Sequence, residues 1–187
     1  VECMESISLG TLNFLEAIKL NEKKIKFFNA GSSECFGNTN KIIANEKTVF
    51  SPRSPYATAK ATAFWMVSNY RESYNLFCCT GILGNHESPL RNKRFVTKKI
   101  ISGVWDIVCK NSKELRLGNL DTWRDWGWAP EYVEAMWMML QQENAEDFVI
   151  ATGHLNTLRE FISFAFSTFD LNWENYVTSN PELFRPS

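Results

Sequence analysis

Only two histidines, His86 and His154, occur in the 187 residues, and none of the five cysteines forms a C-x-x-C pair. A zinc site built on histidine or paired cysteine is therefore poorly supported, and no metal is expected. The cysteine count is odd, and Cys78-Cys79 sit inside the apolar run Phe77–Leu83. They read as buried, reduced thiols of a cytoplasmic protein rather than a disulfide framework. An excess of one charge is also missing. Twenty Lys and Arg stand against 21 Asp and Glu, a formal charge of -1, without the broad positive field of a general nucleic-acid binder. No apolar run reaches the roughly 18–20 residues that cross a bilayer. The start, VECMESISLG, has neither the basic nor the apolar region of a signal peptide.

Hydrophobic residues make up 44% and charged residues 22%, the balance of a folded core rather than a disordered segment. The length suits one sizeable domain. Apolar residues at Leu9, Leu12, Leu15, Ile18 and Leu20 predict a helix ending near Asn21. Ile25–Ala30 reads as a buried strand closed by Gly31, and Ser32–Ser51 as a long loop of the kind that is usually functional. Ser54-Pro55 then opens a helix through Tyr74, with Ser54 as N-cap and Pro55 at the first helical position. Leu76–Leu83 reads as a buried strand, Gly84–Arg94 as a polar loop, Phe95–Lys110 as a helix and Leu115–Leu117 as a short strand. A helix from Pro130 to Gln142, a strand over Phe148–Ala151 and a helix over Leu158–Phe169 follow. Helices alternating with short unbroken apolar strands predict an α/β fold with a parallel sheet.

The chain begins with Val rather than Met, and its first residues already read as helix, so it is expected to be a piece of a longer protein. A doubly wound dinucleotide-binding sheet should open with G-x-G-x-x-G after its first strand. That motif is absent. Gly81-x-x-Gly84 has the wrong spacing and precedes a polar loop rather than a helix. If a dinucleotide is used, its pyrophosphate-binding half is expected upstream of Val1.

The most informative constellation is Ser32, Glu34, Tyr56 and Lys60. Tyr56 and Lys60 are four apart on a helix, on one face and about one turn apart. An ammonium beside a phenol favours the phenolate and draws the tyrosine down from its ordinary value of about 10. Tyr56 then suits general acid/base work at a hydroxyl-bearing carbon, and Lys60 can also bond a cofactor ribose. A Tyr-x-x-x-Lys pair alone also occurs by chance, as a surface lysine beside a half-buried tyrosine. Position adds weight. Ser32 and Glu34 follow a strand at its carboxyl end, where parallel α/β sheets bind ligands, and Tyr56 starts the next helix. The alternative makes Ser32 and Ser33 turn residues and Glu34 a solvated carboxylate.

Seven segments carry a resemblance: GSSECFG (Gly31–Gly37), SPRSPYATAK (Ser51–Lys60), NYRESY (Asn69–Tyr74), NHESP (Asn85–Pro89), FVTKKI (Phe95–Ile100), LGNLD with RDWG (Leu117–Gly127) and DFVIATG (Asp147–Gly153). In order and spacing the chain resembles the GDP-mannose 4,6-dehydratases, which are extended short-chain dehydrogenase/reductases. The resemblance covers the middle and later half of such an enzyme. It implies a partial Rossmann-like doubly wound parallel sheet with the start of a smaller C-terminal substrate-binding region. Residues 1–187 would form one incomplete domain, with about 1–90 catalytic and about 91–187 mainly substrate-binding. NADP is the implied cofactor and GDP-mannose the implied substrate, in a homo-oligomeric dimer or tetramer with no nucleic-acid or membrane partner.

The resemblance also implies roles. Tyr56 would take the proton of the sugar C4 hydroxyl while C4 passes hydride to NADP⁺, with Ser32 bonded to the C4 oxygen. Glu34 would remove the C5 proton, water would leave C6 with a proton from the Glu34/Ser32 side, and hydride would return to C6 and a proton to C5. His86 and Arg91 match cofactor-contacting positions beside Tyr56 and Lys60. Ser33, Asn85, Val96 and Lys99 match positions lining the sugar-nucleotide pocket, and Arg124 and Arg185 match arginines that hold the diphosphate. His86 alternatively is a loop histidine bonded to backbone. Trp123, Trp126 and Trp128 read as packing residues, or else lie beside guanine or at a subunit contact, and Met136–Met139 with Trp137 reads as core. Two departures stand out: Ser32 where family members commonly have Thr, which keeps the hydroxyl, and Cys35-Phe36 where Leu or Met followed by Tyr is commoner.

Other readings remain at this level. A sugar-nucleotide 4-epimerase also needs Ser or Thr, Tyr and Lys, but no base at C5, so Glu34 argues for dehydration. A dTDP-glucose-type dehydratase would carry Asp-Glu where this chain has Ser33-Glu34. A non-enzymatic binding or assembly module is the third reading, since without a glycine-rich loop the isolated chain is expected to be inactive.

Overall fold

The computed structural model describes residues 1–21, 24–39 and 42–183. In chain order the elements are α1 (Gly10–Lys19), β1 (Phe27–Ala30), α2 (Pro55–Tyr74), β2 (Cys78–Leu83), β3 (Asn85–Glu87), α3 (Val96–Val108), β4 (Leu115–Leu117), β5 (Trp123–Trp128), α4 (Ala129–Gln141), β6 (Phe148–Ile150), β7 (Leu155–Thr157), α5 (Leu158–Ser167) and β8 (Val177–Ser179). They form two compact units. The first takes the described residues of Val1–His86 together with Gly127–Ala151; the second takes Glu87–Trp126 and the described residues from Thr152 onward. Among the described residues no helix is long and apolar enough to cross a membrane.

The first unit is built on a parallel sheet of order β1-β2-β6. All six residues of β2 are buried, as expected for the middle strand of a parallel sheet covered on both faces. Asn29 and Thr80, in register on β1 and β2, join their buried side chains through a 3.1 Å hydrogen bond. Helix α2 starts where Ser54 accepts the Ala57 amide at 3.0 Å with Pro55 in the first turn, as the sequence predicts, and ends at Asn75 in the left-handed conformation. Its buried residues, Ala57, Ala59, Ala61, Ala63 and Val67, are small enough for the helix to pack closely between α1 and β2. Leu15 of α1, Val67 of α2 and Cys78 of β2 form a buried cluster, flanked by Phe27, Met66, Tyr70 and Leu76. The Tyr70 hydroxyl donates to Glu16 between the two helices, which pushes the tyrosine up to about 12.

The second unit has its own core of Ile100, Val104 and Ile107 on one stripe of α3, Leu115 and Leu117 of β4, Leu120, and Leu158, Ile162 and Phe166 of α5. Parallel β4–β8 and antiparallel β5–β7 pairs flank it. Helix α5 opens with a reciprocal cap in which Thr157 accepts the Glu160 amide and Glu160 accepts the Thr157 amide.

Several expectations need correction. The Ser32–Ser51 loop contains a 3₁₀ turn at Ser33–Phe36, and the polar loop after Gly84 contains β3. Strands β5, β7 and β8 lie in segments that the sequence does not mark as strand. Only Met139 of the Met136–Met139 stripe is buried; Trp137 is 62% and Met138 52% exposed, because α4 is apolar around much of its circumference. Trp126 packs against the second core and Phe161, whereas Trp123 and Trp128 are exposed. Cys35, Cys78 and Cys79 are buried, but Cys3 is half-buried and Cys109 exposed.

Candidate active site

At the end of β1 the Gly31 amide donates to the Gly81 carbonyl at 2.8 Å, and a Cβ on Gly31 would meet Thr80 Cγ2 and Gly81 O at 2.8 and 2.9 Å. Only glycine lets the chain leave the strand this close to β2. Ser32 follows in extended conformation and caps the 3₁₀ turn, its Oγ accepting the Glu34 amide at 3.3 Å. That leaves the Ser32 hydroxyl proton available to donate outward. The turn is closed by the Cys35 amide on Ser32 O and the Gly37 amide on Glu34 O. Ser33 is half-buried and Glu34 exposed on it, while Cys35 and Phe36 are buried beneath.

Two ties bring the first turns of α2 to this strand end. Lys60 Nζ donates to the carbonyl of Ala30, the last residue of β1, at 2.7 Å, and the Cys35 thiol lies 3.7 Å from the Ala57 carbonyl. Tyr56, 38% exposed, shares the turn: the Lys60 ammonium lies 5.7 Å from its ring centroid. Burial holds Lys60 below its ordinary value and pushes the Cys35 thiol up. Ser32, Ser33, Glu34, Tyr56 and Lys60 thus stand on two adjoining pieces of backbone. The Ala30 carbonyl and the Cys35 thiol are site groups that sequence reasoning missed, since no residue spacing signals them.

Asn85 and His86 lie on β3, directly after the central strand. His86 Nδ1 donates to the Gly84 carbonyl at 3.0 Å, and its ring stacks on Tyr132. The histidine is backbone-bonded through one ring nitrogen.

Arg91, Val96, Lys99 and Arg124 belong to the second unit. Arg91 lies over the Phe95 ring at 3.8 Å and pairs with Glu87, which also accepts the Thr97 hydroxyl. Val96 packs against the core, and Lys99 donates to the Arg116 carbonyl at 2.8 Å. Arg124 is exposed on β5, with Nη1 donating to the Trp123 carbonyl. Arg185 lies outside the described residues. A surface hollow of about 420 Å³ after α4, lined by Gln141, Gln142, Glu143, Asn144 and Glu146, contains none of these groups.

A parallel sheet with a Ser-x-Glu turn at one strand end, and a Tyr-x-x-x-Lys helix drawn onto that strand's last carbonyl, is a Rossmann-like α/β arrangement. Solved structures agree on the fold. RMD from Pseudomonas aeruginosa, complexed with NADPH, is 20% identical and superposes with a TM-score of 0.88 over 95% of this chain and 60% of that one. A dTDP-glucose 4,6-dehydratase from Bacillus anthracis in complex with NAD, also 20% identical, gives 0.84 over 95% and 56%.

The model of the GDP-mannose 4,6 dehydratase family matches residues 1–187, and the chain belongs to that family. It is 46% identical to a GDP-mannose 4,6 dehydratase of Drosophila melanogaster over 96% of this chain and 50% of the relative. To one of Dictyostelium discoideum it is 52% identical, over 87% and 46%. The chain spans about half the length of the curated relatives it matches.

Proposed function

We propose that these residues are the catalytic portion of an enzyme that converts GDP-mannose to GDP-4-dehydro-6-deoxy-mannose with NADP as cofactor. The observation that carries the reading is the 2.7 Å bond from Lys60 to the Ala30 carbonyl, which seats the Tyr56 turn against the strand end bearing Ser32 and Glu34. The nicotinamide fits this donor set. Lys60 gives one of its three hydrogens to Ala30 and keeps others for ribose hydroxyls, and His86 is the further residue of the same unit that would hold the cofactor. Bound there, the cofactor supplies reversible hydride transfer.

The remaining work falls to side chains. Ser32 donates to the C4 oxygen, and Tyr56, with the Lys60 charge beside it, removes the C4 hydroxyl proton. Oxidation at C4 acidifies the C5 proton, which the Glu34 carboxylate takes. Loss of water from C6 needs a proton, returned from the same carboxylate, and C5 takes up a proton again as C6 is reduced. In this reading Ser33 and Asn85 are the first unit's contacts to the sugar nucleotide.

The test is mass spectrometry of the complete enzyme with GDP-mannose and NADP⁺. A product lighter by one water is expected from the parent, and Glu34→Gln should lose it. An isomer of unchanged mass would indicate epimerisation instead, and undiminished dehydration by Glu34→Gln would remove Glu34 from the mechanism.

A further inference from the structure

Among the described residues no hydrogen bond reaches the Glu34 carboxylate, and the 3₁₀ turn carries it. A four-residue 3₁₀ turn closed by two amide bonds of 3.1 and 3.2 Å is a weak platform for a proton-transfer group. The structure braces it from outside. The Ser51 amide donates to the Cys35 carbonyl at 2.9 Å, and Gly37, with φ of +63°, sits so close that a Cβ would meet Ser51 O at 2.0 Å. Next to Ser51, the Phe50 ring packs edge-on to Phe36 at 5.3 Å and to Phe64 of α2 at 4.8 Å. Phe36 lies under the turn, 4% exposed, and Phe64 is two helical turns after Tyr56 on the same helix. Phe50 therefore joins the turn that carries the carboxylate to the helix that carries the phenol.

We propose that Phe50 is a positioning residue that clasps the Glu34 turn to α2 and so fixes the carboxylate relative to Tyr56. The inference rests on the dehydratase reading above. Loosening the clasp misplaces Glu34 while leaving Tyr56 and Lys60 on an intact helix, so the step it slows is removal of the C5 proton and not oxidation at C4.

In the complete enzyme, Phe50→Ala should lower kcat for GDP-mannose about 10- to 100-fold while KM changes less than about twofold. Because C4 oxidation is spared, the reduced cofactor should accumulate during turnover, visible in its near-ultraviolet absorbance. Phe50→Tyr, which keeps the ring, should restore the parent rate. Hydrogen exchange at the Cys35 and Gly37 amides should quicken in Phe50→Ala and stay slow in Phe50→Tyr. If the alanine variant does not fold, Phe50→Leu, which keeps bulk but not the edge-on contacts, should show the same split at smaller size. A parent-like kcat, or a lost kcat without reduced cofactor, overturns the clasp. If the parent itself turns over no GDP-mannose, the functional reading fails, and the exchange measurement still decides the clasp: unchanged amides refute it.

Discussion

Replacing Asp147 by alanine removes one carboxylate from a seam that joins α2 to two strands. Asp147 accepts Arg71 Nη1 and Nη2 at 2.9 and 2.6 Å and the backbone amide of fully buried Thr80 at 2.6 Å, while Arg71 Nη1 also donates to the Cys78 carbonyl at 3.0 Å. The side chains are 20% and 13% exposed, so water replaces little of what is lost. The bidentate contact holds the Arg71 guanidinium above its ordinary value. Without Asp147 a largely covered cation keeps one carbonyl, and a buried strand amide loses its acceptor.

Breaking a buried pair by removing one partner costs about 3–5 kcal/mol. For a chain of this size that corresponds to a fall in Tm of roughly 6–20 °C. Asp147→Asn keeps an acceptor for Thr80 and should cost less, about 1–3 kcal/mol. Replacing both partners, Arg71→Met with Asp147→Leu, should be milder than the sum of the single changes by roughly 1–3 kcal/mol, since no charge is stranded. Urea unfolding followed by circular dichroism measures the parent, Asp147→Ala, Asp147→Asn, Arg71→Met, Asp147→Leu and the double variant. An Asp147→Ala variant within about 1 kcal/mol of the parent, or strict additivity in the double variant, would refute the reasoning.

Lys60 gives a prediction in pH. Burial lowers it from 10.5, so it sheds its proton at lower pH than a free lysine, and the alkaline limb of kcat should fall below that value. Lys60→Arg, charged throughout, should move the limb upward if it retains activity; a limb that stays put would separate Lys60 from the Tyr56 proton. The cysteines give one in reactivity. Burial pushes Cys78 and Cys79 up to about 11 and raises Cys35, which cuts their thiolate fraction near neutrality. Alkylation of the folded chain read by peptide mass mapping should modify exposed Cys109 first and half-buried Cys3 more slowly, with the other three reacting only on unfolding. Early labelling of Cys35 would contradict its place beneath the turn.

Local chemistry made part of the fold readable. Helix α2 announces itself through a serine cap, a proline in the first turn and small inward residues, and β2 through an unbroken apolar run. Strands β7 and β8 have three residues each, too few for a periodicity, and they exist because distant segments pair with them: Val177–Ser179 lies against Leu115–Leu117. Neighbours along the chain contain no trace of that partner. Helix α4 misleads for the opposite reason. Val133, Trp137 and Met138 are as apolar as buried Met139, so composition gives no contrast by which to tell the inner face from the outer.

The same distinction divides the site. Tyr56 and Lys60 were legible because a helix turns a spacing of four into proximity, and Ser32 and Glu34 because a strand end fixes which side of a sheet they face. What couples the two pairs is carried by groups without a sequence signature. Ala30 contributes only its carbonyl, Ser51 only its amide, and Phe50 a ring at the end of a polar loop. Arg91 makes the point in the second unit. Its partner Glu87 is four residues away, yet the pair spans a loop, where that spacing ordinarily predicts nothing. A residue's chemical type shows what it can do, but its reach is decided by backbone atoms and loop rings supplied from elsewhere. Substitutions at Phe50 or Gly37 should therefore act on catalysis through the Glu34 turn, although neither residue carries a reactive group.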